Sequence, residues 1–436
     1  MATSTRDQTA KKIPLLPLFS LVFFASIFFL LSLSRRTPVS PGSSQVKARL
    51  RSDLNCDYTD GSWVYDPDRS SAKYDSTCKE IFKGWNCIAG GKPNAADILK
   101  WRWQPKGCNL PPFDPVAFLE TYRDSNIGKP VSVSNGVGHV EPFAEYRLRI
   151  SLVCHSAGFV GDSLNRNMFV SLFCALRRVS IDVKKWRPAG ADRGFTFLQY
   201  NLTIAYHRTN LLSRYGSWLA DPKGGKLESL GYKEGYRVDV DIPDGTWVKA
   251  PSFHDILIFN TGHWWWAPSK FHPVKSPMLF YEKGLPIIPP IPPDVGLDIV
   301  LKHMIHYVEE KMRPGGIKFF RTQSPRHFEG GDWNEGGSCL RQQPLSSHQV
   351  QELFEVRNNG TNVESRLVNQ HLLRAINGSS FHILDITHLS EFRADAHPAN
   401  AGGKKHDDCM HWCLPGVPDT WIDLFILHLN GIKFRD

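Results

Sequence analysis

The stretch that decides the fold is Gly158–Asn167, with the sequence GFVGDSLNRN. A short apolar run ends at Gly161, and Ser163 follows it directly before an apolar segment that extends to Leu176. This order predicts a buried strand, a sharp turn and a helix. A serine at such a turn lies at the carboxyl edge of a parallel sheet, where α/β proteins bind their ligands. Ser163 is therefore the candidate nucleophile.

A second string, DCMHWCLPG at residues 408–416, supplies an acid and a base. Serine is a poor nucleophile until a base takes its proton, and a third group commonly orients that base. We therefore predict a triad of Ser163, His411 and Asp408. The alternatives are that Ser163 only caps the following helix and that His411 is structural, like many of the 17 histidines. At Ser163, helix capping and nucleophilic attack are compatible, because a helix N-terminus also offers N–H groups to an oxyanion.

Further residues near these strings are candidates for binding the substrate and its developing oxyanion. Asn260 and Gly262 follow the apolar run Ile256–Phe259, and Trp264–Trp266 form either a platform for sugar rings or a packed structural cluster. The predicted oxyanion and substrate residues are Gly161, Asp162, Arg166, Asn167, Asn260, Gly262, His263 and Trp264. Asp407 is interpreted as a loop acid. No metal site is predicted, because no cysteine and histidine pairs have the required spacing.

Strand and helix patterns alternate after Gly158, which predicts an α/β fold with a parallel sheet between helices. The predicted strands are Phe159–Gly161, Ile256–Asn260, Ile317–Phe320 and Phe381–Ile386. The predicted helices are Leu164–Leu176, Leu297–Lys311 and Val417–Leu429, and another helix is capped by Asp114. The active site is expected at the carboxyl edge of the sheet.

The N-terminal region predicts a membrane anchor. Ile13–Leu33 carries no charge and is long enough to cross a bilayer, which takes about 20 residues. We interpret residues 1–12 as a cytoplasmic tail, 13–33 as an uncleaved transmembrane anchor and 34–55 as a flexible stem. Basic residues flank the anchor on both sides, so charge alone does not decide its orientation.

The residues beyond the anchor favour an oxidising compartment. All nine cysteines follow it, four of them within Cys56–Cys108, and this density indicates disulfides. Cys409 and Cys413 bracket His411 and are interpreted as staples of its loop. Three glycosylation sequons also follow the anchor, at Asn201, Asn359 and Asn377.

The formal charge is +9, of which about half is concentrated near the N-terminus. The remaining positive charge is spread along the chain, so the sequence predicts no nucleic-acid partner. This positive charge would suit an acidic polysaccharide. The 13 tryptophans and 26 phenylalanines suit either stacking on sugar rings or an aromatic-rich core.

Five segments occur in order along the chain: the opening Cys56…Trp63…Asp66-Pro67, WRWQP at 101–105, GDSLNRN at 161–167, FNTGHWW at 259–265 and DCMHWCLPG at 408–416. On these segments, the chain from Cys56 to the C-terminus resembles the plant trichome birefringence-like proteins. This resemblance implies an α/β/α serine-esterase-like (SGNH-like) domain with an N-terminal disulfide-stapled segment.

The resemblance also implies a function, O-acetylation of a cell-wall polysaccharide such as xylan, mannan or pectin. The acetyl group would be carried on Ser163, with Asp408 and His411 completing the triad. The donor would be acetyl-CoA or a membrane-delivered acetyl group, with no bound cofactor. Relatives are single-pass type II proteins of the Golgi membrane with a luminal catalytic domain. An acetyl esterase and a non-catalytic polysaccharide-binding protein are the alternatives, and the oligomeric state is left open.

The resemblance further implies how the cysteines pair. The expected disulfides are Cys56–Cys108, Cys78–Cys174, Cys87–Cys413 and Cys339–Cys409.

One segment departs from the family pattern. In relatives, Ile127-Gly128 would lead almost directly into the nucleophile strand, but here Lys129–Ala157 intervenes and adds Cys154, which makes the cysteine count odd. We interpret residues 129–157 as an in-frame insertion, as a retained intron would produce. The predicted luminal organisation is a cysteine-rich segment at 56–128, the insertion, and an esterase-like catalytic domain at 158–436.

Overall fold

A computed structural model of the chain describes residues 56–69, 72–123, 156–267, 270–356, 362–403 and 405–433. The predicted tail, anchor and stem lie outside these residues, as does most of the predicted insertion. Among the residues described, none of the helices combines the length and apolar character needed to cross a membrane.

A seven-stranded mixed sheet lies at the centre of the fold, in the order β13-β12-β9-β3-β6-β5-β4. The strands are β1 Gly61–Tyr65, β2 Trp101–Pro105, β3 Ser156–Gly161, β4 Val183–Trp186, β5 Arg193–Phe197, β6 Leu202–Arg208, β7 Ser213–Leu219, β8 Glu234–Pro243, β9 Ile256–Phe259, β10 Met278–Glu282, β11 Leu285–Pro286, β12 Ile317–Arg321 and β13 His382–Leu384. Strands β13, β12, β9, β3 and β6 run parallel, as predicted.

The prediction of a wholly parallel sheet is wrong at one edge, where β5 runs antiparallel to both of its neighbours, β6 and β4. The reason is the length of the connection between β5 and β6. It contains only Leu198–Asn201, with Asn201 in a left-handed conformation (φ 48°). A parallel crossover needs a dozen or more residues, and therefore this short connection can form only a hairpin.

Helices cover both faces of this sheet. The α-helices of the described residues are α1 Ala95–Ile98, α2 Pro115–Thr121, α3 Ser163–Val179, α4 Lys226–Ser229, α5 Ala250–Phe253, α6 Pro293–Lys311, α7 Ser347–Phe354, α8 Glu364–Ile376, α9 Thr387–Glu391 and α10 Val417–Lys433. Successive strand residues face opposite sides. Phe159 and Ile258 pack in one apolar core with α3 and α10, whereas Val160 and Phe259 pack in another with α6 and α8. The predicted α/β/α layering is therefore present.

Two smaller sheets were not predicted. One has the order β11-β10-β8-β7, and α6 packs closely against it. A Cβ atom on Gly296 of this helix would lie 2.3 Å from the Phe280 ring, so glycine permits the approach. The other sheet pairs β1 with β2 in the N-terminal segment.

The residues that the structure describes contain four disulfides, with the pairing that the family resemblance implied: Cys56–Cys108, Cys78–Cys174, Cys87–Cys413 and Cys339–Cys409. Two of them join the N-terminal segment to distant elements, namely α3 and the residues after His411. Such long-range links stabilise a fold chiefly by restricting the unfolded chain.

Strand β3 begins before the predicted domain boundary at Gly158. Ser156 and Ala157, the last two residues of the predicted insertion, pair with β6, and Ala157 also pairs with β9. The Ser156 N–H donates to Asp255 Oδ2 at 3.1 Å. These two residues therefore belong to the central sheet, and residues 129–155 lie outside the described part of the chain.

A buried carboxyl group joins the N-terminal segment to two helices. Asp419 of α10 accepts hydrogen bonds at Oδ1 from the Tyr74 hydroxyl at 2.7 Å and from the Ser171 hydroxyl at 2.6 Å. Burial raises the pKa of Asp419 because it disfavours the charged form, while nearby Lys73 opposes the shift. The network fixes the N-terminal segment against the core.

We therefore expect Tyr74→Phe to lower the free energy of unfolding by about 1–3 kcal/mol, because it removes a hydrogen bond from a buried acceptor. Thermal and denaturant unfolding of the full chain would measure the change. Tyr65→Phe is the matched control, since its hydroxyl bonds Asp97 at an exposed site. A Tyr74→Phe effect no larger than that of the control would contradict this account of the network.

Candidate active site

Ser163 lies at the turn between β3 and α3, as predicted. Asp162 caps the helix, and its Oδ1 accepts the Leu164 N–H at 3.0 Å. The first N–H groups of an α-helix have no partner within the helix. The backbone N–H of Ser163 is thus a candidate donor to an oxyanion formed beside its own hydroxyl.

The turn depends on close contact with the end of β9. A Cβ atom on Gly161 (φ 152°) would lie 1.9 Å from Asn260 Oδ1, so only glycine fits there. The Asp162 N–H donates to Asn260 Oδ1 at 3.2 Å, and Asn260 Nδ2 donates to Asp162 Oδ1 at 2.8 Å. These paired bonds hold the nucleophile turn against the central sheet.

The three predicted catalytic side chains meet in the structure. His411 Nε2 lies 2.7 Å from Ser163 Oγ, and His411 Nδ1 lies 2.9 Å from Asp408 Oδ1 and 3.1 Å from Oδ2. Donation from Nδ1 to the carboxylate leaves Nε2 free to accept the serine proton. The geometry is that of a serine nucleophile with a general base and an orienting acid.

The loop of residues 408–413, here called the His411 loop, is fixed at both ends. Disulfides join Cys409 to Cys339 and Cys413 to Cys87. The backbone of Asp408 also forms an antiparallel bridge with Ala399, with N–O distances of 3.0 and 3.1 Å. The cysteines that bracket the histidine thus staple the loop, as expected.

The N-terminal segment contributes directly to the site. The Trp85 ring lies 5.0 Å from the His411 ring, centroid to centroid, and the Leu414 N–H donates to the Trp85 carbonyl at 2.8 Å. From the other side, Asn167 exchanges hydrogen bonds with the backbone of Trp412. His411 is therefore held between the N-terminal segment and helix α3.

The triad opens into a cleft of about 590 Å³, the active-site cleft. Its lining residues are Phe82, Trp85, Ser163, Arg166, Arg208, Asn210, His263, Trp264, Ala267, Phe328, Trp333, His406, Asp407, Asp408, Met410 and His411. The Arg166 guanidinium lies 5.2 Å from the Trp85 ring and 5.8 Å from the Phe82 ring. Burial lowers the pKa of Arg166, and repulsion from Arg193 adds to this effect. The cleft thus combines aromatic faces with cationic groups.

Of the predicted substrate residues, Arg166, His263 and Trp264 line this cleft. Gly161, Asp162, Asn167, Asn260 and Gly262 are buried and are not among the residues that line the cleft, so their roles in binding the substrate or its oxyanion remain predictions. Two of their side chains make internal hydrogen bonds: Asn260 bonds to Asp162, and Asn167 bonds to the backbone of Trp412. Within the aromatic run, Trp265 is buried and stacks on Phe280, so only Trp264 offers its ring to the cleft.

His263 has its own acidic neighbour. Its Nδ1 lies 3.6 Å from Glu364 Oε1, and Glu364 Oε2 pairs with Arg326 at 2.7 Å. Desolvation raises the pKa of Glu364, but the nearby His263 and Arg326 outweigh it and hold the pKa below its usual value. This arrangement fixes the His263 ring at the cleft wall.

Sequence reasoning missed most of the cleft wall. Phe82 and Trp85 come from the N-terminal segment. Arg208 ends β6 and Asn210 follows it, whereas Trp333 belongs to a long loop after β12. None of these residues stands in a motif whose spacing indicates a site. Cys339, Asp407 and Cys409 also cluster, but the two cysteines form a disulfide, so they cannot offer thiolates to a metal.

We expect Asp408→Asn to reduce kcat for acyl transfer by about 10⁴-fold, because an amide no longer fixes the His411 tautomer that accepts the serine proton. Turnover of an activated aryl acetate would measure the loss. Asp407→Asn makes the same change one residue away and should cost no more than a few-fold. Similar losses in both variants would argue against Asp408 as the orienting acid.

Comparison with known proteins agrees with this geometry. A family described as "GDSL/SGNH-like Acyl-Esterase family found in Pmr5 and Cas1p" matches residues 154–428, and one described as "PMR5 N terminal Domain" matches residues 54–109. The first match contains the whole triad, and the second contains Trp85 and Phe82 of the cleft wall.

Similar proteins are found in Arabidopsis thaliana. Protein trichome birefringence-like 13 is 60% identical over 444 residues, covering 99% of this chain and 100% of the relative. Protein trichome birefringence-like 12 is 42% identical, covering 89% of each chain. Xyloglucan O-acetyltransferase 2 is 28% identical, covering 87% of this chain and 84% of the relative. The chain therefore belongs to the trichome birefringence-like family.

Proposed function

We propose that this protein transfers an acetyl group, through an acetyl-serine intermediate, to a hydroxyl of a plant cell-wall polysaccharide. The observation that carries the proposal is the 2.7 Å contact between Ser163 Oγ and His411 Nε2, with Asp408 on the opposite ring nitrogen. The general role of an acyl-transferring enzyme is supported by the acyl-esterase family match across the catalytic residues.

The reaction proceeds in two acyl transfers. His411 Nε2 takes the Ser163 proton as Oγ attacks the acetyl carbonyl, and the departing donor group receives that proton. A sugar hydroxyl then loses its proton to His411 and attacks the acetyl-serine. Oγ leaves and regains the proton, so the enzyme returns to its starting state. Asp408 stabilises the imidazolium in both halves.

Two features support a polysaccharide as the acceptor. The active-site cleft is lined by aromatic rings, including Trp85, Trp264 and Trp333, that suit the apolar faces of sugars. A relative across most of the chain is called a xyloglucan O-acetyltransferase. Xylan, mannan and pectin are the proposed substrate classes, and Arg166 and Arg208 suit an acidic member of this group. The proposed donor is acetyl-CoA or a membrane-delivered acetyl group.

Hydrolysis is the second candidate activity, because the matched family is described as acyl esterases and water can replace the sugar hydroxyl in the second step. The two activities separate when acetylated oligosaccharide is assayed with and without an acetyl donor. A third reading, a polysaccharide-binding protein without catalysis, is disfavoured by the assembled triad.

We also propose that residues 13–33 anchor the protein in the Golgi membrane with the catalytic domain in the lumen. Four disulfides support an oxidising compartment, since they are rare in the cytosol. The sequon residues Asn201 and Asn377 are exposed, whereas Asn359 lies outside the described residues.

We expect Ser163→Ala to reduce acetyl transfer by about 10³-fold or more while leaving the protein folded, because the nucleophile is lost and the buried core is untouched. Transfer of labelled acetyl to xylan, mannan and pectin oligomers would measure it. Ser252→Ala, at an exposed site away from the cleft, is the control. Activity of Ser163→Ala within a few-fold of wild type would exclude the covalent mechanism.

For the topology, we expect N-glycans on at least one of Asn201, Asn359 and Asn377, since sequons exposed to the lumen are substrates for glycosylation. Glycosidase treatment of the full chain should increase its mobility on a gel. Replacement of all three asparagines by glutamine should abolish the shift. An unglycosylated protein with free thiols would place the domain on the cytosolic side instead.

A further inference from the structure

The ammonium group of Lys270 lies in an aromatic cage beside the active-site cleft. Its Nζ lies over four rings, at centroid distances of 4.9 Å for Tyr215, 5.4 Å for Trp264, 5.5 Å for Tyr236 and 5.7 Å for Phe271. The four rings are here called the Lys270 cage. A cation within about 6 Å of a ring centroid is attracted to the negative face of the ring. Each of the four rings therefore contributes to holding the same ammonium group.

The four-stranded sheet supplies two walls of the Lys270 cage. Tyr215 belongs to β7 and Tyr236 to β8, and the Phe271 ring contacts both of them edge-on, at centroid distances of 6.0 and 5.0 Å. The Lys270 N–H donates to the carbonyl of Ala267 at 3.0 Å, and Ala267 lines the active-site cleft. The cage thus joins a sheet that lies outside the central one to the wall of the cleft.

Trp264 is the ring of the Lys270 cage that also lines the active-site cleft. The next two tryptophans each contact another ring, since Trp265 stacks on Phe280 and Trp266 lies 6.5 Å from the His371 ring, centroid to centroid. Among the described residues, Trp264 has no such ring contact, and its indole N–H has no hydrogen-bond partner. Apart from apolar packing, the ammonium group over its face is therefore the contact that fixes the plane of this ring.

Hydrogen bonds connect the same ammonium group to a second residue of the cleft, Asn210. Lys270 Nζ donates to the Tyr215 hydroxyl oxygen at 3.2 Å, and Asn210 Nδ2 donates to that oxygen at 2.8 Å. An ammonium group can only donate, so the hydroxyl oxygen accepts from it and stays in place for the amide. Asn210 lines the active-site cleft, as Trp264 does. Lys270 thus constrains both an aromatic ring and a polar amide of the cleft wall.

We propose that Lys270 is a positioning residue for the acceptor, which holds Trp264 and Asn210 in place as one sugar-binding subsite of the cleft. This inference rests on the proposed function, in which a sugar hydroxyl attacks the acetyl-serine. An aromatic face suits the C–H groups of a sugar and a polar amide suits its hydroxyls, so the two side chains supply complementary contacts. A ring that is fixed before binding loses less conformational entropy when the sugar arrives. Lys270 therefore raises affinity for the acceptor without contacting it.

The direct test measures binding of the acceptor without turnover, with the full chain carrying Ser163→Ala as the reference protein. Xylan, mannan and pectin oligomers would be titrated into it by calorimetry. Lys270→Met keeps a side chain of similar length but removes the charge, and we expect it to weaken binding by about 5- to 20-fold. Lys270→Arg keeps a cation that stacks on aromatic faces and should restore most of the affinity. Lys275→Met, at an exposed position of the same loop, is the matched control and should not change binding.

A double-mutant cycle tests whether Lys270 acts through Trp264. Trp264→Leu removes the ring and should weaken binding at least as much as Lys270→Met does. If the ammonium group acts by holding that ring, adding Lys270→Met to Trp264→Leu should cause a clearly smaller loss than Lys270→Met causes alone. The remaining loss is the part that Lys270 exerts through Asn210. Fully additive losses in the double variant would contradict the proposal.

The kinetics of acetyl transfer separate positioning of the acceptor from a general loss of structure. With Ser163 intact and the oligomer that binds best, Lys270→Met should raise KM for the acceptor more than it lowers kcat, because the triad is not changed. A loss of structure would instead lower kcat and the midpoint of thermal unfolding together. A fall in kcat with an unchanged KM for the acceptor would overturn the proposal.

Failure of this inference and failure of the proposed function give different results. If an oligomer binds the Ser163→Ala reference and Lys270→Met does not weaken that binding, the inference alone is wrong. If binding depends on Lys270 as expected but Ser163→Ala keeps wild-type transfer, the subsite stands and the covalent mechanism is wrong. If none of the oligomers binds, both the proposed acceptor and the subsite are wrong.

Discussion

The immobilisation of the His411 loop is the constraint on which the site depends. Ser163 and His411 are 248 residues apart in sequence, yet their reacting atoms lie within one hydrogen bond. Such proximity contributes to catalysis only if the loop does not move, since a displacement of about 1 Å can cost about 100-fold in rate. The loop is held by two disulfides, by one backbone bridge and by its contact with the Trp85 ring.

This constraint explains why the N-terminal segment is integral to the site. It contributes Cys87 and Trp85, one as a covalent tether and the other as the ring that covers the catalytic imidazole. It is attached again at Cys78 to the nucleophile helix and at Tyr74 to the buried Asp419. The segment therefore joins the two halves of the triad.

Much of the catalytic centre could be predicted from sequence because its residues stand in short local strings. Asp408 and His411 are three residues apart, and a turn places Ser163 directly after a buried strand. Only some of the predicted oxyanion and substrate residues line the cleft, because adjacency in sequence does not say which side chains are turned inward. Asn260 lies beside the site, but both polar groups of its side-chain amide form hydrogen bonds with Asp162.

Features that depend on contacts between distant segments were not predicted. The antiparallel edge of the sheet, the four-stranded sheet and Trp85 in the cleft have no local signature. His327 and His397 are also 70 residues apart in sequence, yet their ring nitrogens lie 2.7 Å from each other in the core. The disulfide pairing was accessible through the family resemblance, since spacing alone leaves many pairings open.

The most direct measurement of the central claim is the capture of the acetyl-enzyme. The full chain would be mixed with an acetyl donor, quenched in acid, digested and examined by mass spectrometry. The account predicts one acetyl group on the peptide that contains Ser163, formed before product and removed when a polysaccharide acceptor is added. Product formation without that intermediate, or an acetyl group on a different residue, would contradict it.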